Sequence, residues 1–163
     1  MITSSLLKGK NEWNASYDPV ATAIVLANGN HARPPETLLI GGDVTCPYHL
    51  SPDEARSFFK SVPSLALCAE AAEYWFKDGF NLYFHDPIAA AAAFHPDLAT
   101  WTNATVAVEL PQGRTTFEAK PNPQHGILKV ATHVDFPRFR EIFLATMADA
   151  STDRGSNSPS PRQ

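Results

Sequence analysis

The sequence is short of the residues that cross-link a chain, steer it to a polyanion or carry it through a membrane. It has two cysteines, Cys46 and Cys68, in unrelated segments and without metal-site spacing. That excludes a disulfide framework and leaves two reduced thiols as the expectation. There is no basic block, and 13 Lys and Arg stand against 17 Asp and Glu, so the electrostatic footprint of a nucleic-acid or membrane binder is missing. No apolar run approaches the roughly 20 residues that span a bilayer. The amino-terminal stretch MITSSLLKGKNEW has only a two-leucine core before charge returns, too little for a secretory leader. A soluble, cytoplasmic protein is expected, and the sequons at Asn14 and Asn103 should stay unmodified. No internal repeat is visible, and the glycine pair in IGGDVT lacks the surrounding pattern of a phosphate loop.

What is present is a set of clear helix starts. A chain of 163 residues fits one domain and can bury roughly two-thirds of its unfolded surface. In YDPVATAIVLAN and HDPIAAAAAFH, Asp18 and Asp86 are placed to cap helices whose first residues are Pro19 and Pro87. LSPDEARSFFK repeats the device with Ser51 and Pro52, and Glu54 completes a capping box. SLALCAEAAEYWFKDG reads as an amphipathic helix ending at Gly79, and DFPRFREIFLATMADA as another with Phe136, Phe139, Ile142, Phe143 and Met147 on one stripe.

Between the helices, TLLIGGDV has the pattern of a strand buried on both faces. TNATVAVELPQGRTTFEA alternates and turns at PQG, predicting a hairpin, and GILKVATHV adds a third extended piece. From Ala150 the composition shifts to Ser, Pro and Gly, which predicts a disordered tail over 150–163 behind a folded part over 1–149. The class is mixed α/β, although one parallel-type strand is too few for a covered parallel sheet.

Two polar pairs could carry chemistry. Taken alone, Asp86 reads as a helix cap and His85 as a bystander. As a pair they offer a proton donor near neutral pH beside a carboxylate suited to a hard cation. Upstream, Glu12 and Asn14 stand two residues apart; in an extended segment they share a face, where an acceptor and an amide can grip adjacent sugar hydroxyls. On local grounds alone they read as a chance polar pair in a solvated loop. His95, His125 and His133 lack a carboxylate at ligand spacing, and Tyr74 and Trp75 read as core residues.

Five segments, EWNASYDPVATAIVL, LLIGGDVT, LSPDEA, FHDPIAAAAAFHPDL and KVATHVDFPRFREIFL, follow the order and spacing of the C-terminal half of the inosine/uridine-preferring nucleoside hydrolases. The sequence resembles that family over nearly all of 11–147. The resemblance implies the C-terminal portion of an α/β domain with a largely parallel sheet, flanking helices and a small hairpin, and hydrolysis of the N-glycosidic bond of ribonucleosides. It implies that His85 protonates the leaving base, that Asp86 ligates a calcium ion, and that Glu12 and Asn14 hydrogen-bond the ribose hydroxyls.

One departure matters. The family carries an aspartate-rich loop, Asp-x-Asp-x-Gly-x-Asp-Asp, that supplies most calcium ligands and the general base, and this sequence has no adjacent aspartate pair. Calcium takes about 6–8 oxygen ligands, which Asp86 alone cannot supply. The expected partners are a ribonucleoside and either a further copy of the chain or the missing N-terminal half. The alternative is a non-catalytic interaction module derived from such a hydrolase.

Overall fold

The structure, a computed structural model, describes residues 13–26, 37–110, 114–118 and 127–153. It divides into two compact units, one of residues 1–47 and 95–134, the other of residues 48–94 and 135–163.

The first unit opens with two short helices, α1 (Trp13–Tyr17) and α2 (Pro19–Leu26). Between them Asp18 is the cap that its sequence position predicts. Its Oδ1 accepts the Ala21 amide at 2.8 Å and its carbonyl accepts the Thr22 amide at 3.0 Å. Pro19 therefore sits where a missing N–H costs nothing.

A four-stranded sheet follows, built from β1 (Leu38–Leu39), β4 (Ala99–Glu109), β5 (Arg114–Glu118) and β6 (Ile127–Val134) in the order β1-β6-β4-β5. β4 and β5 form the expected hairpin, with Glu109 opposite Arg114; the PQG turn at 111–113 lies outside the described residues. β6 alternates, burying Leu128 and Val130 and exposing Lys129 between them. Leu26 of α2 packs with Ala104, Leu128 and Val130, and Leu39 and Val108 close over the cluster. The α/β class, the flanking helices and the hairpin all hold, and the parallel part of this sheet is the single ladder between β1 and β6.

β1 departs from expectation. It is two residues long and half-buried rather than covered on both faces. The chain turns at Gly41 into α3 (Gly42–Thr45), and among the described residues β1 has a neighbour on one side only. Gly41 allows a close approach here, because a Cβ would collide with the Asp43 carboxylate. Burial pushes the Asp43 carboxyl up, against hydrogen bonds from the Asp43 and Val44 amides that pull it down.

The second unit holds β2 (His49–Leu50), β3 (Leu82–Tyr83), α4 (Pro52–Lys60), α5 (Ala66–Phe76), α6 (His85–Phe94) and α7 (Phe136–Asp153). The β2–β3 ladder is antiparallel and only two residues long, too short to leave a pattern in the sequence. The capping box of α4 forms as read: Ser51 Oγ accepts the Glu54 amide at 3.4 Å, and Glu54 Oε2 accepts the Ser51 amide at 2.8 Å. Gly79, at φ 77°, takes the left-handed conformation that stops the segment after α5.

The core of this unit is aromatic. Phe58, Phe84 and Phe139 are buried, and their rings meet one another or those of Phe136 and Phe143 at centroid distances of 5.6 to 6.0 Å. The predicted stripe of α7 supplies three of these five rings. α7 continues to Asp153, past the Ala150 boundary at which composition places the tail; 154–163 lie outside the described residues. Tyr74 and Trp75 are exposed rather than core, because the buried residue of this helix is Phe76. Trp75 instead covers the following loop, donating from Nε1 to the Asn81 carbonyl at 3.0 Å with its ring 4.6 Å from that of Phe80.

Arg56 ties α4 to α5. Its Nε and Nη2 donate to the two carboxylate oxygens of Glu73 at 2.7 and 2.9 Å, while Nη1 donates to Asp53 at 2.9 Å. This bidentate fork holds the Glu73 carboxyl below its ordinary value of 4.5. Among the described residues no helix is long and apolar enough to cross a membrane, and both cysteines are free thiols.

Phe139→Ala should lower the unfolding free energy by about 3–5 kcal/mol, measured by urea denaturation; a loss under about 1 kcal/mol would show that the ring cluster is not the core of its unit. The two shifted carboxyls should act in opposite directions. Glu73, depressed in the fold, stabilises above 4.5 and loses that contribution as pH falls, so Glu73→Gln should flatten the acid side of a melting-temperature profile. Asp43, raised in the fold, favours the folded state most below 3.8 and progressively less as pH rises through its folded value. Asp43→Asn should therefore gain relative stability toward neutral pH, and parallel profiles for wild type and both variants would refute the assignment.

Candidate active site

The start of α6 is fixed by burial on either side of it. From β3 onward exposure alternates: Tyr83 is exposed, Phe84 buried and His85 exposed. Phe84 enters the aromatic core, 5.8 Å from Phe58 and 5.6 Å from Phe139. Within α6, Ile88 and Ala92 are buried at i, i+4 spacing. The helix thus lies on its core by one face, with His85 and Asp86 in its exposed first turn.

This geometry corrects the cap assignment. The Phe84 carbonyl accepts the Ile88 amide at 3.0 Å, so Phe84 is the capping position, His85 and Asp86 are the first two helical residues, and Pro87 is the third. Proline is tolerated there because first-turn amides have no intrahelical partner. Asp86 remains well placed electrostatically, since a carboxylate in the first turn meets the positive end of the helix dipole.

One residue without a role in the sequence analysis, Tyr83, stands beside His85. Side chains at i and i+2 of an extended segment share a face, and the Tyr83 ring stacks on the His85 imidazole at 5.2 Å with 6° between the planes. Tyr83 is also the cross-strand partner of His49, whose ring lies 5.3 Å away. The imidazole of His85, at the start of α6, is therefore held by an aromatic neighbour from the end of β3. The signal available in sequence was the alternation YFH, readable only once Phe84 is known to point inward.

Asn14 lies in the first unit, exposed on the helix α1 rather than in the extended segment that the sequence suggested. The helix forms because Ala15 is buried and the Ser16 hydroxyl bonds back to the Trp13 carbonyl at 2.8 Å. Glu12 lies outside the described residues. The crevice among Leu50, Phe58, Phe84 and Phe143 is lined by apolar atoms and belongs to the core of its unit.

Among the described residues Asp86 offers one carboxylate, and no group of three or more His, Cys, Asp or Glu side chains is placed to hold a metal ion; these donors alone do not fit a calcium ion, which takes about 6–8 oxygens.

Comparison with known proteins gives this geometry its context. No curated protein matches the chain in sequence. Among solved structures it is similar to a plant nucleoside hydrolase, the PpNRh1 enzyme, at TM-score 0.63 and 22% identity, over 82% of this chain and 46% of that one. It is also similar to a purine-preferring ribonucleoside hydrolase from Gardnerella vaginalis at TM-score 0.64 and 26% identity, over 85% of this chain and 46% of that one. The chain thus spans about half the length of these structures. The profile of the inosine-uridine preferring nucleoside hydrolases matches residues 7–141, and the chain belongs to that family.

Proposed function

We propose that this chain takes part in the hydrolysis of the N-glycosidic bond of ribonucleosides, to a free base and ribose, and that it does not complete the reaction alone. The observation that carries the reading is the exposed His85–Asp86 pair in the first turn of α6, in a chain of the nucleoside hydrolase family.

When the glycosidic bond breaks, its electron pair leaves with the base nitrogen and positive charge develops on the sugar. A protonated His85 can give the departing base a proton, which suits an imidazole whose ordinary pKa lies near neutrality. Stacking on Tyr83 fixes the plane of that imidazole and so limits the directions in which its N–H groups can donate. Asp86 places negative charge near the oxocarbenium-like sugar. Asn14, together with Glu12, would orient the ribose through its hydroxyls.

Water adds through its oxygen to the anomeric carbon and must lose a proton to a carboxylate base. That base is the part of the chemistry for which this chain offers no assigned residue. The absence of an adjacent aspartate pair and of a described metal-binding cluster both favour an incomplete site.

Two measurements test this reading. The purified 163-residue chain should show no calcium-dependent hydrolysis of a chromogenic riboside; a measurable rate would overturn the incompleteness. In the endogenous protein, as it occurs in its own cells, His85→Ala should lower kcat by about 10²–10⁴-fold. An unchanged rate would remove His85 from the chemistry.

A further inference from the structure

The first unit carries an apolar surface that its own core does not explain. α2, PVATAIVL, has no charged residue, and its one polar side chain, Thr22, turns its hydroxyl back to the Asp18 carbonyl at 2.8 Å. Leu26 is buried in the core, yet Val20, Ile24 and Val25 are 58%, 67% and 62% exposed. A helix that is apolar on every side belongs in an interior. The preceding helix extends the surface: α1 is also uncharged, and Trp13 and Tyr17, one turn apart with rings 5.3 Å from each other, are 72% and 75% exposed.

The same unit has an unfinished sheet. β1 is an edge strand joined in parallel to β6, and among the described residues nothing pairs with its other side. Parallel ladders occur almost only inside sheets covered on both faces. Two features of one unit, an uncharged apolar helix face and an open parallel edge, thus call for the same kind of cover.

We infer that the α1–α2 face and the open edge of β1 are the docking surface for the other half of a nucleoside hydrolase domain, carried on the same polypeptide or on a separate one. The inference rests on the functional reading above only in taking the partner from the same family. Its support is the comparison of lengths: the chain accounts for 46% of each matched hydrolase while 82% and 85% of its own length is matched. The remaining half of such a domain is the cover that this much exposed apolar surface lacks. The absence of charge on α1 and α2 excludes an acidic or basic partner and matches the charge-depleted centre of an obligate interface. A second copy is the less suitable occupant, because a two-fold axis would set identical edge strands antiparallel to each other.

The test places a photo-crosslinking amino acid at Val20 and, separately, at Ile24 in the protein expressed in its own cells, and identifies the crosslinked peptides by mass spectrometry. The expected result is a crosslink from both positions to a sequence of the nucleoside hydrolase family lying outside residues 1–163 and carrying an aspartate-rich loop. Ile24→Glu should abolish the association seen from Val20. A crosslink to another copy of this chain, to an unrelated protein, or none at all, overturns the inference. Riboside hydrolysis is read on the same preparation: a family crosslink without hydrolysis keeps the docking surface and sinks the activity, whereas hydrolysis without the crosslink does the reverse.

Discussion

The arrangement of the second unit depends on where one phenylalanine points. Phe84 sits between an exposed tyrosine and an exposed histidine, and its ring contacts those of Phe58, Phe136, Phe139 and Phe143. Because side chains alternate along an extended segment, sending Phe84 inward sends Tyr83 and His85 outward together. Because its carbonyl accepts the first amide bond of α6, the same residue sets where the helix starts. The core thus sets the register of the candidate proton donor and the candidate carboxylate through Phe84. Rigid backing of this kind lets an exposed imidazole keep one orientation.

The first unit shows the opposite situation, a sheet and helix pair whose apolar demand exceeds its own supply. Leu26, Ala104, Leu128 and Val130 make a small cluster on one face, while Val20, Ile24 and Val25 of α2 are exposed. Among the described residues the edge strand β1 has a neighbour on one side only, and Leu38 and Leu39 keep ladder geometry before Gly41 turns the chain into α3. The chain spans about half the length of the solved structures it matches.

Much of the local structure was legible in the residues. Asp18, Ser51 with Glu54, and Gly79 act within one turn of helix, so their effect travels with the sequence. The hairpin was legible because alternation and a turn segment are both local signals. The α7 stripe was legible because five apolar residues recur at helical spacing. The errors have a common form. Asp86 was expected as the cap and is instead the second helical residue; Tyr74 and Trp75 were expected in a core and are exposed. In each case the residue type allowed both states, and the choice was made by which neighbouring side chain found a partner distant in sequence.

The sequence by itself determined the starts of α2 and α4, the hairpin, and the kinship that points to glycosidic chemistry, because each is written in short-range patterns or in residue identity. Tertiary structure decided that Phe84 and not Tyr83 is buried, that His85 stacks on Tyr83 with His49 across the ladder, and that α2 keeps an apolar face outward. Those outcomes depend on rings and strands brought together from far along the chain, and no local pattern records which side of a two-residue strand will meet the core.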